Sequence, residues 1–175
     1  MTKDISVKLP DHSTADDASP LAAPGLVFFA DLSVAVGPPQ EVGSTAQGLR
    51  RVIPIVGGSA TGAGWTARVL AGGADFQLVV SATQVLLDAR YCLQTDGGDL
   101  IYVRNRAMRS GPAALMVRQL AGELLSPFDA AQIYFRCHPT FETACPSLRW
   151  INERMFVGTG KRLPHAVVVR SFELS

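Results

Sequence analysis

The chain has 175 residues, 47% of them apolar and 18% charged, with 16 basic against 15 acidic side chains. That length suits one domain with a real core, and a net charge of +1 gives no electrostatic footprint for nucleic acid or an anionic membrane. Three cysteines without a CxxC pair argue against a disulfide framework or a paired-thiol zinc site and fit reduced thiols in a cytoplasmic protein.

Residues 1–24 lack a basic start followed by an apolar run, so they do not read as a signal peptide. Their Asp, Ser, Pro and Ala content predicts a flexible N-terminal arm ahead of one domain over 25–175. No stretch approaches the roughly 20 apolar residues of a membrane span. Leu26–Val36 reads as the first strand, bounded by Pro24-Gly25 and Gly37-Pro38-Pro39. Arg50–Ser59 follows as a β-branched run, with Pro54 inside it predicting an edge or a bulge. Gly57, Gly58, Gly62, Gly64, Gly72 and Gly73 come next. No Walker motif and no helical pattern accompanies them, so they read as turns and bulges of a bending sheet, not as a phosphate loop.

Trp65–Leu70 and Phe76–Val80 are further short strands. Gln84–Arg109 is a long hairpin turning at Asp96-Gly97-Gly98. Its period of two is clear. Val85, Leu87, Ala89, Tyr91 and Leu93 share one face, and Asp88, Arg90, Cys92 and Gln94 share the other with Leu86. On the second arm Tyr102, Arg104, Arg106 and Met108 oppose Ile101, Val103, Asn105 and Ala107. Pro112–Leu125 is the best helical segment, weakened by Gly122. Ala131–His138 is a strand that Pro139 should end. Ser147–Asn152 reads as a helical turn, and Met155–Val157 and Ala166–Glu173 as closing strands. Many short strands without a βαβ rhythm predict an all-β, antiparallel barrel or sandwich with one short helix.

Four blocks carry a resemblance: Ala71–Leu78, Leu87–Pro112, Ile133–Pro146 and Trp150–Arg162. In order and spacing they resemble domain-of-unknown-function family 3237, also called uncharacterised protein family 0311. The resemblance implies a single calycin-like antiparallel β-barrel, similar to barrels of the allene oxide cyclase type, with no fixed cofactor. The chain differs from the family pattern at Phe76, Cys137 and Ala107, where Trp, Thr and Gly are usual, and changes at Phe76 and Cys137 are expected to reshape a pocket wall.

Asp88, Glu142 and His138 are the candidate proton-transfer groups. Asp75, Arg90, Tyr102, Arg104, Tyr134, Arg136 and Trp150 are the candidate substrate-binding groups. Periodicity alone leaves open whether the charged rows face the lumen or the solvent. The resemblance places Asp88, Arg90 and Arg136 in family blocks and so implies the lumen. Cys137 and His138 adjoin on a strand and point apart, which argues against a Cys–His nucleophile pair. Without a GxSxG elbow the chain is no α/β-hydrolase. The expectation is a cofactor-independent lyase, isomerase, dehydratase or cyclase acting on a small hydrophobic, aromatic or polyketide-like molecule. The alternatives are a barrel that binds a ligand without turnover and a structural barrel that dimerises through apolar exterior strands. A homodimer is the expected assembly.

Overall fold

The computed structural model describes residues 21–175, so most of the arm predicted over 1–24 lies outside the described residues. Ten strands account for most of the rest. They are β1 (Leu26–Val36), β2 (Gln40–Thr45), β3 (Gly48–Gly62), β4 (Trp65–Val69), β5 (Ala74–Ser81), β6 (Gln84–Thr95), β7 (Leu100–Ser110), β8 (Tyr134–Thr143), β9 (Phe156–Arg162) and β10 (Ala166–Leu174). All pairings are antiparallel. The sheet runs β1-β10-β9-β8-β7-β6, and β1 also pairs with β3, which closes the ring. β4 and β5 both bridge β3 and β6, at successive heights, so they share one stave. The result is a closed barrel of eight staves, with β2 added outside on β3.

Alternation fixes what fills it. In β6 the buried positions are Val85, Leu87, Tyr91 and Leu93; in β7 they are Ile101, Val103, Asn105 and Arg109; in β8, Phe135, Cys137, Pro139 and Phe141. The inward residues keep one parity along a stave except where bulges shift it, at Phe29–Ala30 in β1 and between Ile55 and Ala60 in β3, and the outward ones carry most of the charge. Pro54 sits where β3 changes neighbour from β2 to β1. Its carbonyl accepts from the Gly37 N–H on that side, so the donor it lacks would have faced the gap between two ladders. The expected bulge is there too, as a register shift between Ala35 and Val36 against β3.

Two details differ from the sequence reading. The strand predicted to stop at Pro139 runs on to Thr143. β9 pairs with β8 only at Arg136 and Cys137, so beyond them β8 has an open edge that tolerates a proline. The single short helix is instead two, α1 (Ala113–Leu120) and α2 (Pro127–Ala131), besides a 3-10 helix at Pro146–Glu153. Gly122 explains the break: its φ of +82° makes it the left-handed residue that ends α1. No helix among the described residues is long and apolar enough to cross a membrane.

One end of the barrel is filled by rings. Phe29 lies at centroid distances of 4.6 Å from Phe156, 4.9 Å from Phe141, 5.5 Å from Trp65 and 5.7 Å from Trp150. Edge and tilted contacts of this kind add to the area that the rings bury. Phe29→Ala is expected to destabilise the fold by about 3–5 kcal/mol, read as a lowered urea midpoint with an unchanged slope.

Candidate functional site

The opposite half of the lumen is not filled. An internal cavity of about 40 Å³ is walled by Ala89, Tyr91, Ala107, Phe135, Val167 and Val169 among others, with Asp75, Gln77, Asn105 and Arg162 as its polar lining. Ala89 and Ala107 leave the room, because neighbouring staves present methyl groups where larger side chains would meet. Val36, Ile53, Gln77 and Arg162 also line a second hollow, a vestibule of about 310 Å³ that adds Arg51, Arg109, Gln119 and the end of α1. Chamber and vestibule therefore adjoin, the chamber mainly apolar with a few polar groups and the mouth cationic.

The polar groups of this site share the parity of the apolar ones. Asp75 and Gln77 alternate along β5, Asn105 and Arg109 along β7, and Arg51 precedes Ile53 and Ile55 on β3. Arg162 continues the inward series Phe156, Gly158, Gly160 on β9. The last glycine is required by a close approach: a Cβ on Gly160 would lie 2.8 Å from the Phe135 ring.

Burial sets the electrostatics. The Asp75 carboxyl accepts from Gln77 Nε2 at 2.7 Å through Oδ2, while Oδ1 is buried without a partner. Desolvation pushes its pKa up to about 6, against the lowering effect of the Gln77 hydrogen bond and the Arg109 charge. Arg109 is 2% exposed, and its Nε and Nη1 have no hydrogen-bond partner. Desolvation, with Arg162 nearby, pulls it down to about 10, which still leaves it charged at neutral pH. Arg51 Nε lies 2.7 Å from Glu41 Oε1, and Arg51 Nη2 donates to the Leu120 carbonyl at 3.2 Å, tying the end of α1 to the wall. Arg162 donates to the carbonyls of Pro164 and Ala166, and burial lowers its pKa. Asn105 Oδ1 and Gln119 Oε1 are also buried and unpaired. The Cys137 thiol is pushed up to about 11, mainly by burial, so it is no ready nucleophile.

Of the residues expected at the site, Asp75 alone lies in this lumen. Asp88, Arg90 and Arg104 stand on the outer wall, where Asp88 Oδ2 receives both guanidinium groups at 3.0 Å. Those bonds, Arg104's first, hold the Asp88 carboxyl well below the usual range. The lumen expected for Asp88, Arg90 and Arg136 is thus corrected by parity: Leu87 and Ala89 flank Asp88 and take the interior. Arg136 is exposed, stacks over the Tyr134 ring at 4.8 Å and donates to the Phe135 carbonyl. Tyr102, Tyr134, His138 and Glu142 face outward with it. Trp150 belongs to the aromatic end, away from the chamber. Phe76 also faces outward, so only Cys137 and Ala107 of the three departures touch the interior. Cys137 and His138 do point apart, one buried and one exposed. Among the described residues no group of three or more His, Cys, Asp or Glu side chains gathers into a metal site.

The residues missed were Arg51, Gln77, Asn105, Arg109, Gln119 and Arg162. Their signal on the strands was a polar side chain that keeps step with a greasy row.

Asp75 gives a pH signature. It titrates near 6 when folded and near the ordinary 3.9 when unfolded, so between those values the folded chain binds more protons. Stability therefore falls as pH rises from about 4 to 6, by about 3 kcal/mol for this group. Asp75→Asn is expected to lose that slope and to be at least as stable as the parent at pH 7, by urea denaturation across the range.

Comparison with known proteins agrees with the architecture. A protein of family 0311 from Rhodopseudomonas palustris (strain TIE-1) is 37% identical over 138 residues, which are 79% of this chain and 88% of that one. The crystal structure of a β-barrel-like protein from Acinetobacter baumannii superposes with a TM-score of 0.77 at 34% identity, covering 90% of this chain and 99% of the other. An enzyme from Penicillium herquei has a TM-score of 0.66 at 17% identity, with 90% and 99% covered, a likeness of fold alone. Residues 24–174 match the profile described as "Protein of unknown function (DUF3237)", and with these relatives the chain belongs to that family.

Proposed function

We propose that this barrel is a cofactor-independent enzyme that moves a proton on a small, largely apolar molecule held in the lumen. The observation that carries this reading is two sets of buried, unpartnered groups in the adjoining hollows: Asp75 Oδ1 at the chamber, and Nε and Nη1 of Arg109 at the vestibule. A carboxyl group titrating near 6 is matched to accepting and returning a proton at neutral pH. In the step proposed, Asp75 takes a proton from the carbon next to a carbonyl. The C–H electron pair shifts into an enolate, whose oxygen develops charge in the field of Arg109 and Arg162. Return of the proton to another carbon completes an isomerisation; departure of a β leaving group, which takes the proton from Asp75 as it goes, completes an elimination. Asn105 and Gln77 supply the polar contacts that orient the guest, and the apolar walls keep water out.

The chamber's size supports a compact substrate. About 40 Å³ holds a few waters, so a polyketide-sized molecule would have to occupy the vestibule as well. The rival reading, a carrier without turnover, shares the lumen and lacks only the proton step.

The test is proton exchange in deuterium oxide with a panel of enolisable aryl ketones and arylpyruvates, followed by proton NMR. Protein-dependent loss of the α-proton signal is expected, and Asp75→Asn should slow it by about 10²–10⁴-fold. Asp88→Asn, His138→Asn and Glu142→Gln should exchange at the parental rate. Parental exchange by Asp75→Asn would remove the proton-transfer reading and leave the carrier.

A further inference from the structure

The mouth of the lumen is out of electrical balance. Arg51 has Glu41 at 2.7 Å, but Arg109 and Arg162 face only the Asp75 carboxyl, and no salt bridge of 4.0 Å or less joins Asp75 to either. Arg109 is the extreme case. It is the largest fully buried side chain among the described residues, and Nε and Nη1 of its guanidinium have no acceptor. Burying a charged group without a partner costs several kcal/mol, and a guanidinium edge is a fork that fits two oxygens of one carboxylate. Gln119 at the end of α1 and Gln77 on the wall stand round the same mouth. Below them the lining turns apolar, with Ala89, Ala107 and Val167. A guest that satisfies both halves is anionic at one end and apolar at the other.

We propose that the lumen takes a small carboxylic acid, with its carboxylate received by the Arg109 guanidinium in the vestibule and its apolar body pointing toward the chamber. This assignment rests on the lumen being the ligand site, as in the function proposed above, and adds the class of ligand. Inorganic anions lack the apolar body, and neutral isosteres leave the guanidinium unpaired. A site built round a buried charge discriminates sharply against a ligand that cannot pair it.

Benzoate and benzamide make the test, because they have the same shape, differ in charge and have no α-hydrogen to exchange. Binding is measured by isothermal titration calorimetry in carboxylate-free buffer. Benzoate is expected to bind at about 1 mM or tighter, and benzamide at least about tenfold more weakly. Arg109→Met should abolish that preference, while the outer-wall variant Arg104→Met should keep it. Arg109→Met removes an unpaired buried charge and is expected to melt no lower than the parent; should it fail to fold, the parental comparison still decides. Equal affinity for the two probes, no benzoate binding at about 10 mM, or a preference surviving Arg109→Met would overturn the assignment. Failure of the proton-exchange test with the preference intact would remove the enzyme and leave a carboxylate-binding barrel.

Discussion

The structure depends on closure. Once β1 pairs with both β10 and β3, every stave must commit one parity to the interior, and the interior has no second side to which a misplaced group can turn. Hydrophobic burial then decides the parity for each run between bulges as a whole. In β6 the row of Val85, Leu87, Tyr91 and Leu93 outweighs the preference of any single polar neighbour, so Asp88 and Arg90 go outward together.

The same rule gives the inward polar residues their meaning. Arg51, Asp75, Gln77, Asn105 and Arg109 are carried inside by the strands they belong to, and a buried charge there is tolerated only because the rest of each stave stabilises the register. They do not neutralise one another. Asp75 is bonded to Gln77 and Arg51 contacts Glu41, whereas Arg109 and the second oxygen of Asp75 stay unpartnered. A set of groups that existed only to stabilise the fold would be paired, as Asp88 is with Arg104 and Arg90 on the outer wall. The contrast between a satisfied array outside and an unsatisfied one inside is what supports the proposal of a site in the lumen.

The fold was legible in the sequence because its determinants are local. Period-two runs, the turn at Asp96-Gly97-Gly98 and the breakers at Pro24-Gly25 and Gly37-Pro38-Pro39 mark most of the staves, and the four motif blocks agree with a barrel. The site was legible only at Asp75. Charge density drew attention to Asp88, Arg90 and Arg104, although rows dense in charge are what a barrel shows to water. The better sign was isolation: Arg109 ends the row Ile101, Val103, Asn105, Ala107, and Asp75 and Gln77 keep the parity of Val79. Gln119 had no such sign, since α1 reaches the mouth only through the long connection between β7 and β8.

The ring cluster around Phe29 makes the barrel a blind alley. Whatever enters past the arginines has to leave by the same threshold, with its leading end last out. For the guest proposed above, arrival and departure would then take turns, and one that lingered there would bar the next.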